Sequence, residues 1–118
     1  MIERFGARPR LAKAVRSGGL VFLAGEVAND PELDVKQQTA VVLAKIDEHL
    51  AQAGTDRSRV LYAQIWLADI ADFADMNEIW DGWVEPDKAP ARATVGAALA
   101  KPYNLVEIQV VAAAGDVE

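Results

Sequence analysis

The chain of 118 residues has no cysteine, which excludes disulfides, iron–sulfur clusters, thiolate metal sites and cysteine nucleophiles together. Its one histidine, His49, rules out a histidine-based triad and any multi-histidine metal site within a single copy. Positive charge is scarce. Twelve Lys and Arg against eighteen Asp and Glu leave a formal charge of −6, which repels phosphate backbones and argues against nucleic acid as a partner. No uncharged apolar run approaches the roughly 20 residues of a membrane span. Met1–Arg10 carries Glu3, Arg4, Arg8 and Arg10 without the apolar stretch of a signal peptide. A cytoplasmic protein with no membrane partner is expected. Gly18-Gly19 reads as a turn, and neither a dinucleotide fingerprint nor a phosphate loop can be written through it.

What remains suffices for a single domain over residues 1–118. Apolar residues make up 52% of the chain and charged ones 25%, enough for a core beneath a soluble surface. Ser17-Gly18-Gly19 separates Ala12–Arg16 from Leu20–Ala24 and predicts a hairpin ending at Gly25. Asn29-Asp30-Pro31 marks a turn, after which Asp34 caps a long helix through Ala53, closed by Gly54. Val35, Thr39, Val42, Leu43, Ile46, Leu50 and Ala53 form its buried stripe, while Lys36, Lys45, Asp47 and Glu48 are expected in solvent. Val60–Ala68 predicts a strand with Leu61, Ala63, Ile65 and Leu67 on one face and Tyr62, Gln64 and Trp66 on the other.

Asp69–Asp72 starts a second, shorter helix carrying Phe73, Met76, Trp80 and Trp83 at helical spacing, read as packing, with Pro86 stopping it. Two more strands follow, Ala91–Leu99 and Leu105–Ala113, separated by the turn at Lys101–Asn104. Strands interleaved with two helices on so short a chain predict an α+β fold with both helices on one sheet face. The other face, lined by Tyr62, Trp66 and the last strand, is then expected to be covered by further copies of the chain.

His49 stands beside the apolar stripe of the long helix as a lone imidazole, which is poor evidence for catalysis, and reads as a surface or flanking residue. The last third holds the candidate chemistry. Arg92 and Thr94 alternate to one face of their strand, while Glu107 and Gln109 share a face opposite Val106, Ile108 and Val110. One reading is a structural Arg–Glu pair closing a subunit contact. The other is catalytic: a guanidinium fork matches a carboxylate, and a desolvated Glu107 would serve as a general base on water.

Ala89-Pro90-Ala91-Arg92-Ala93-Thr94-Val95, followed by Val106-Glu107-Ile108-Gln109 and the run to Ala113, resembles the signature of the RidA/YjgF superfamily. The resemblance takes in Leu23-Ala24-Gly25-Glu26, the long helix and Asp72–Asn77, so nearly the whole chain is covered. Trp66–Asp69 with Asn77–Trp83 looks most like the YoaB-like branch. The resemblance implies a chorismate-mutase-like fold assembled as a homotrimer, its sheets forming a central barrel with sites between subunits. It also implies cofactor-free, metal-free deamination of 2-imino and enamine acids to 2-keto acids and ammonia. On it, Arg92 and the Thr94 main-chain N–H bind the substrate carboxylate, Glu107 positions water, and Leu11, Ala24 and Gly25 line the pocket. Asn77 matches a recurrent family asparagine and is expected to cap or brace the second helix. Leu11 and Ala24 stand where many members carry a tyrosine and a hydroxyl residue, which implies a less polar pocket. Two other functions compete: a non-catalytic binder of a 2-keto acid, and RNA cleavage as ascribed to some relatives, against which the acidic balance weighs.

Overall fold

The computed structural model describes residues 1–115. Its strands are β1 (Ile2–Phe5), β2 (Ala14–Ser17), β3 (Leu20–Leu23), β4 (Val60–Leu67), β5 (Ala91–Gly96) and β6 (Val106–Ala113), with helices α1 (Val35–Gln52) and α2 (Phe73–Trp83). They form one mixed sheet in the order β1-β2-β3-β6-β4-β5. Only β4 and β5 pair in parallel, joined by the α2 crossover. The last strand inserts antiparallel between β3 and β4, so residues at the end of the sequence form the middle of the sheet.

Local chemistry accounts for the punctuation. Gly18, at φ 59°, opens the two-residue β2–β3 turn that pairs Ser17 with Leu20. At the start of α1 the Asp34 carboxylate accepts from the Gln37 main-chain N–H at 2.9 Å, and Gln37 Oε1 accepts from the Asp34 N–H at 3.0 Å. The chain leaves α1 through Gly54 at φ 83°, as its composition predicts. Buried Gln38 donates to the Leu33 and Tyr103 carbonyls and accepts from Leu105 N–H, tying the helix start to the loop before β6.

The core lies between one sheet face and the two helices, where Ile46, Leu50, Ile65, Leu67, Met76 and Ile108 are fully buried. On the opposite face Leu20, Phe22, Tyr62 and Val95 stay 38–45% exposed, in register with Ala113, Val111 and Trp66 across the central strands.

Several expectations need correction. β1 was not foreseen, because Ile2–Phe5 carries two charges in four residues and is held only as an edge strand against β2. Leu61 is not on the buried face: a bulge between Val60 and Tyr62 inserts it as the extra residue, half exposed, and Val60 takes the inward position. β5 stops at Gly96 rather than Leu99, where the Ala97 N–H turns to the Leu67 carbonyl. Lys45 and Asp47 are not free in solvent. Lys45 Nζ donates to the Val27 and Ala28 carbonyls, and Asp47 receives Arg57 and the Trp83 indole N–H. Deleting the side chain that joins both layers should confirm where the core sits: Ile46→Ala is expected to cost about 2–5 kcal/mol in chemical denaturation.

Candidate active site

The register of β5 decides where Arg92 points. It pairs with Ala63, which is buried on the helix side, so the Arg92 side chain projects toward α2. Phe73, Asn77 and Trp80 follow one another on α2 at steps of four and three residues and share one stripe. They form a holder. The Arg92 guanidinium carbon lies 5.6 Å from the Phe73 ring centroid and 5.3 Å from that of Trp80, and Nη1 donates to Asn77 Oδ1 at 2.7 Å. Among the described residues no carboxylate pairs with this cation, and its remaining donors have no hydrogen-bond partner. Thr94, two residues on and facing the same way, has a buried Oγ1 that is likewise unpartnered. A planar cation held on three sides with no counter-charge is suited to accept an anion, and its fork fits a carboxylate.

Glu107 sits elsewhere. It pairs with Trp66, so its side chain lies on the helix-free face. The strand beside it is distorted there: between the pairs Phe22–Val111 and Glu26–Ile108, the β3 side advances four residues while β6 advances three, a bulge that contains Gly25. A Cβ on Gly25 would collide with Glu107 Oε2. Glycine leaves room here for close approach, and the carboxylate occupies the space a side chain would fill. Burial, and secondarily the charge of Glu26, raise the Glu107 carboxyl above its ordinary value of 4.5.

The expected site residues therefore fall into two groups. Arg92, Thr94 and Asn77 gather on the α2 side, and Glu107 and Gly25 gather on the other face, with β4 intervening between β5 and β6. One chain does not bring Arg92 to Glu107. Ala24 is fixed by its N–H to the Lys13 carbonyl at 3.0 Å. Leu11, 46% exposed, lines a cleft of about 270 Å³ with Arg4, Arg8, Arg10 and Val15. Asn77 departs from its expected role: α2 has no side-chain cap bond, and what Asn77 braces is the Arg92 guanidinium.

A family model described as Endoribonuclease L-PSP matches residues 1–114. The chain belongs to this family. A RutC family protein of Haemophilus ducreyi is 43% identical over 113 residues, covering 96% of this chain and 97% of that one. The RutC family protein YoaB of Escherichia coli is 42% identical over 112 residues, covering 95% and 97%. Among solved structures, NMB1025 of Neisseria meningitidis, a member of the YjgF protein family, superposes with a TM-score of 0.95 at 46% identity, covering 99% of this chain and 98% of that one. The α+β architecture, with two helices on a mixed six-stranded sheet, is that of the YjgF structures.

Two features of this YjgF family member escaped the sequence reading. The Phe73–Trp80 clasp was read as packing alone, although the 73-77-80 spacing carried the signal. Glu26 was passed over, yet it is 5% exposed and meets Lys13, Lys45 and His49 at 3.5, 3.9 and 3.2 Å. Lys45 and His49, one helical turn apart, were the available clue. His49 is a flanking residue of α1 as expected, but engaged. Among the described residues no three His, Asp or Glu side chains converge as a metal site requires. The glycine at 25 is directly testable. Gly25→Ala should leave the melting temperature nearly unchanged, because the flexible Glu107 end can swing away, and should abolish whatever activity depends on that carboxylate's position.

Proposed function

We infer that the protein is a hydrolase that deaminates small 2-imino and enamine acids to 2-keto acids and ammonia, working in the cytoplasm as a homotrimer. The observation that carries this reading is the Arg92 cation, clasped by Phe73, Trp80 and Asn77 and lacking any counter-charge among the described residues. It asks for a small anion, and the fork specifies a carboxylate. The unpartnered Thr94 hydroxyl, with the main-chain N–H of the same residue, supplies further donors.

An imine is already electrophilic, so the protein has to orient it and handle a proton. Arg92 holds the carboxylate end. Glu107, whose raised pKa suits a group that takes a proton and returns it, orients a water toward the C=N carbon. Water adds to that carbon, the nitrogen takes up a proton, and the carbinolamine collapses to the keto acid as the C–N bond breaks and ammonia leaves. Neither metal nor organic cofactor enters the scheme.

Because strand register keeps Arg92 and Glu107 on opposite faces, the reading requires Glu107 from a neighbouring copy. The exposed Leu20, Phe22, Tyr62 and Val95 on the helix-free face offer apolar surface for that contact. The family description names an endoribonuclease, but a chain of charge −6 gives a strand of RNA little electrostatic footing.

Generating 2-iminopropionate in place with an amino-acid oxidase and following its disappearance tests the activity. Wild type should accelerate the loss, and Arg92→Ala should lower kcat/KM by about 100-fold, the scale of a lost charge-assisted pair. Saturable 2-keto acid binding with no acceleration would instead make the protein a binder. Since Glu107 must be ionised to act, activity should fall with acid through a midpoint above the usual carboxylate range. The raised value also means that ionising Glu107 costs stability as pH rises through it. Glu107→Gln should therefore be inactive yet melt higher than wild type at about pH 7, with the gain vanishing near pH 4.

Assembly has its own test. Native mass measurement should give three copies, and a co-refolded equal mixture of Arg92→Ala and Glu107→Gln chains should recover about one quarter of wild-type activity. A site contained in one chain would recover none.

A further inference from the structure

Glu26 occupies a position where burial favours an apolar side chain, and it stands immediately behind the catalytic carboxylate of the proposed reaction. Its main chain pairs on both sides with Ile108, the residue after Glu107: the Glu26 N–H donates to the Ile108 carbonyl at 2.9 Å, and the Ile108 N–H returns the bond at 3.1 Å. Gly25, one residue earlier, is the one whose missing Cβ admits Glu107 Oε2. Two consecutive residues thus fix both the backbone and the side-chain space of Glu107.

Three basic groups from two elements converge on the Glu26 carboxylate. Lys13 Nζ, from the β1–β2 connection, is 3.5 Å from Oε2; Lys45 Nζ and His49 Nε2, from α1, are 3.9 Å from Oε1 and 3.2 Å from Oε2. Fastening α1 to the sheet would not need them all. The apolar stripe around Ile46 and Leu50 does that, and Lys45 already holds the Val27 and Ala28 carbonyls. His49 Nε2 lies 3.2 Å from Glu26 Oε2, and its buried Nδ1 has no partner among the described residues.

We propose that Glu26 is a positioning residue for Glu107, held behind it by Lys13, Lys45 and His49, so that the charge of this cluster governs the proton occupancy of the carboxylate that handles water. The proposal rests on the catalytic role given to Glu107 above. Glu26 is buried, so its field reaches Glu107 with little screening by salt, and it favours the protonated form. The Lys13 and Lys45 cations, and His49 when protonated, offset that field. Glu26 is the charged neighbour that acts on Glu107; Lys13, Lys45 and His49 are the groups that face Glu26, and Glu107 lies across the sheet from it.

The signs of the substitutions follow. Glu26→Gln preserves shape and removes the like charge, so the Glu107 midpoint should move down. Lys45→Met removes an offsetting cation and should move it up. Both are read from the Glu107 carboxyl carbon by ¹³C NMR titration, which needs no turnover, and then from the acid limb of imine hydrolysis, which should move with it. Opposite displacements support the proposal. An unmoved midpoint in both variants, with only a lower melting temperature or activity reduced equally at every pH, overturns it and leaves Glu26 as a tie for α1. If Glu26→Gln does not fold, Lys45→Met carries the same decision. Midpoints that shift in a protein inactive toward imines would sink the deaminase reading while leaving the coupling intact.

Discussion

A side chain on a pleated strand cannot change faces without a one-residue slip of the whole strand. That constraint governs this molecule. The pairing of Arg92 with Ala63 and of Glu107 with Trp66 commits the two groups to opposite sides of the sheet, and the fully buried Ala63, Ile65, Ile108 and Val110 make a slip prohibitive. On the proposed reading each copy therefore holds two half-sites. A guanidinium clasped on the helix side near an edge strand, and a carboxylate on the bare face, become one reacting pair only if a second copy supplies the other half. The exposed apolar residues of that bare face and the separation of the two groups are consequences of the same register, and each makes sense of the other on the proposed reading.

The half-sites are stiffened by different means. Arg92 is held by two rings and one amide oxygen, which leave its other donors without a hydrogen-bond partner among the described residues. Little side-chain entropy then remains to be lost when an anion binds. Glu107 is held by crowding and by its neighbours' charges. The bulge at Gly25 opens the only space its carboxylate needs, while burial and Glu26 disfavour ionisation. Such an arrangement costs stability, because the carboxyl is partly desolvated beside a like charge instead of paired with a cation.

The fold was legible where periodicity and caps agree. The α1 stripe, the Asp34 cap and the Gly54 exit lie where the pattern places them, because burial of one helix face and satisfaction of terminal N–H groups are local demands. It was illegible where the answer depends on pairing. Nothing in Val60–Leu67 announces that Leu61 is a bulged residue, since the bulge is defined by the partner strand. Ile2–Phe5 becomes a strand only because β2 offers an edge. For the site, alternation correctly grouped Arg92 with Thr94, and Glu107 with Gln109. It was silent on whether the two groups face each other, because strand order and not spacing decides that. Glu26 escaped because its meaning lies in Lys13, Lys45 and His49, which are distant in sequence and adjacent in space.

The proposed reading leaves a question of charge: how a protein of formal charge −6 would recruit an anion. Net charge acts over distances that physiological salt screens within about 8 Å, so the approach is decided by groups near the site. There the chain departs from its average. Arg92 has no neutralising carboxylate among the described residues, so its charge is locally uncancelled. Aromatic rings make this favourable, because Phe73 and Trp80 stabilise a cation without cancelling its charge, as a carboxylate partner would. An Asp or Glu in place of Asn77 would satisfy the guanidinium equally well in hydrogen-bonding terms and would remove its appetite for an external carboxylate. On the proposed reading the neutral amide at position 77 is therefore as much a part of anion recognition as the cation it holds.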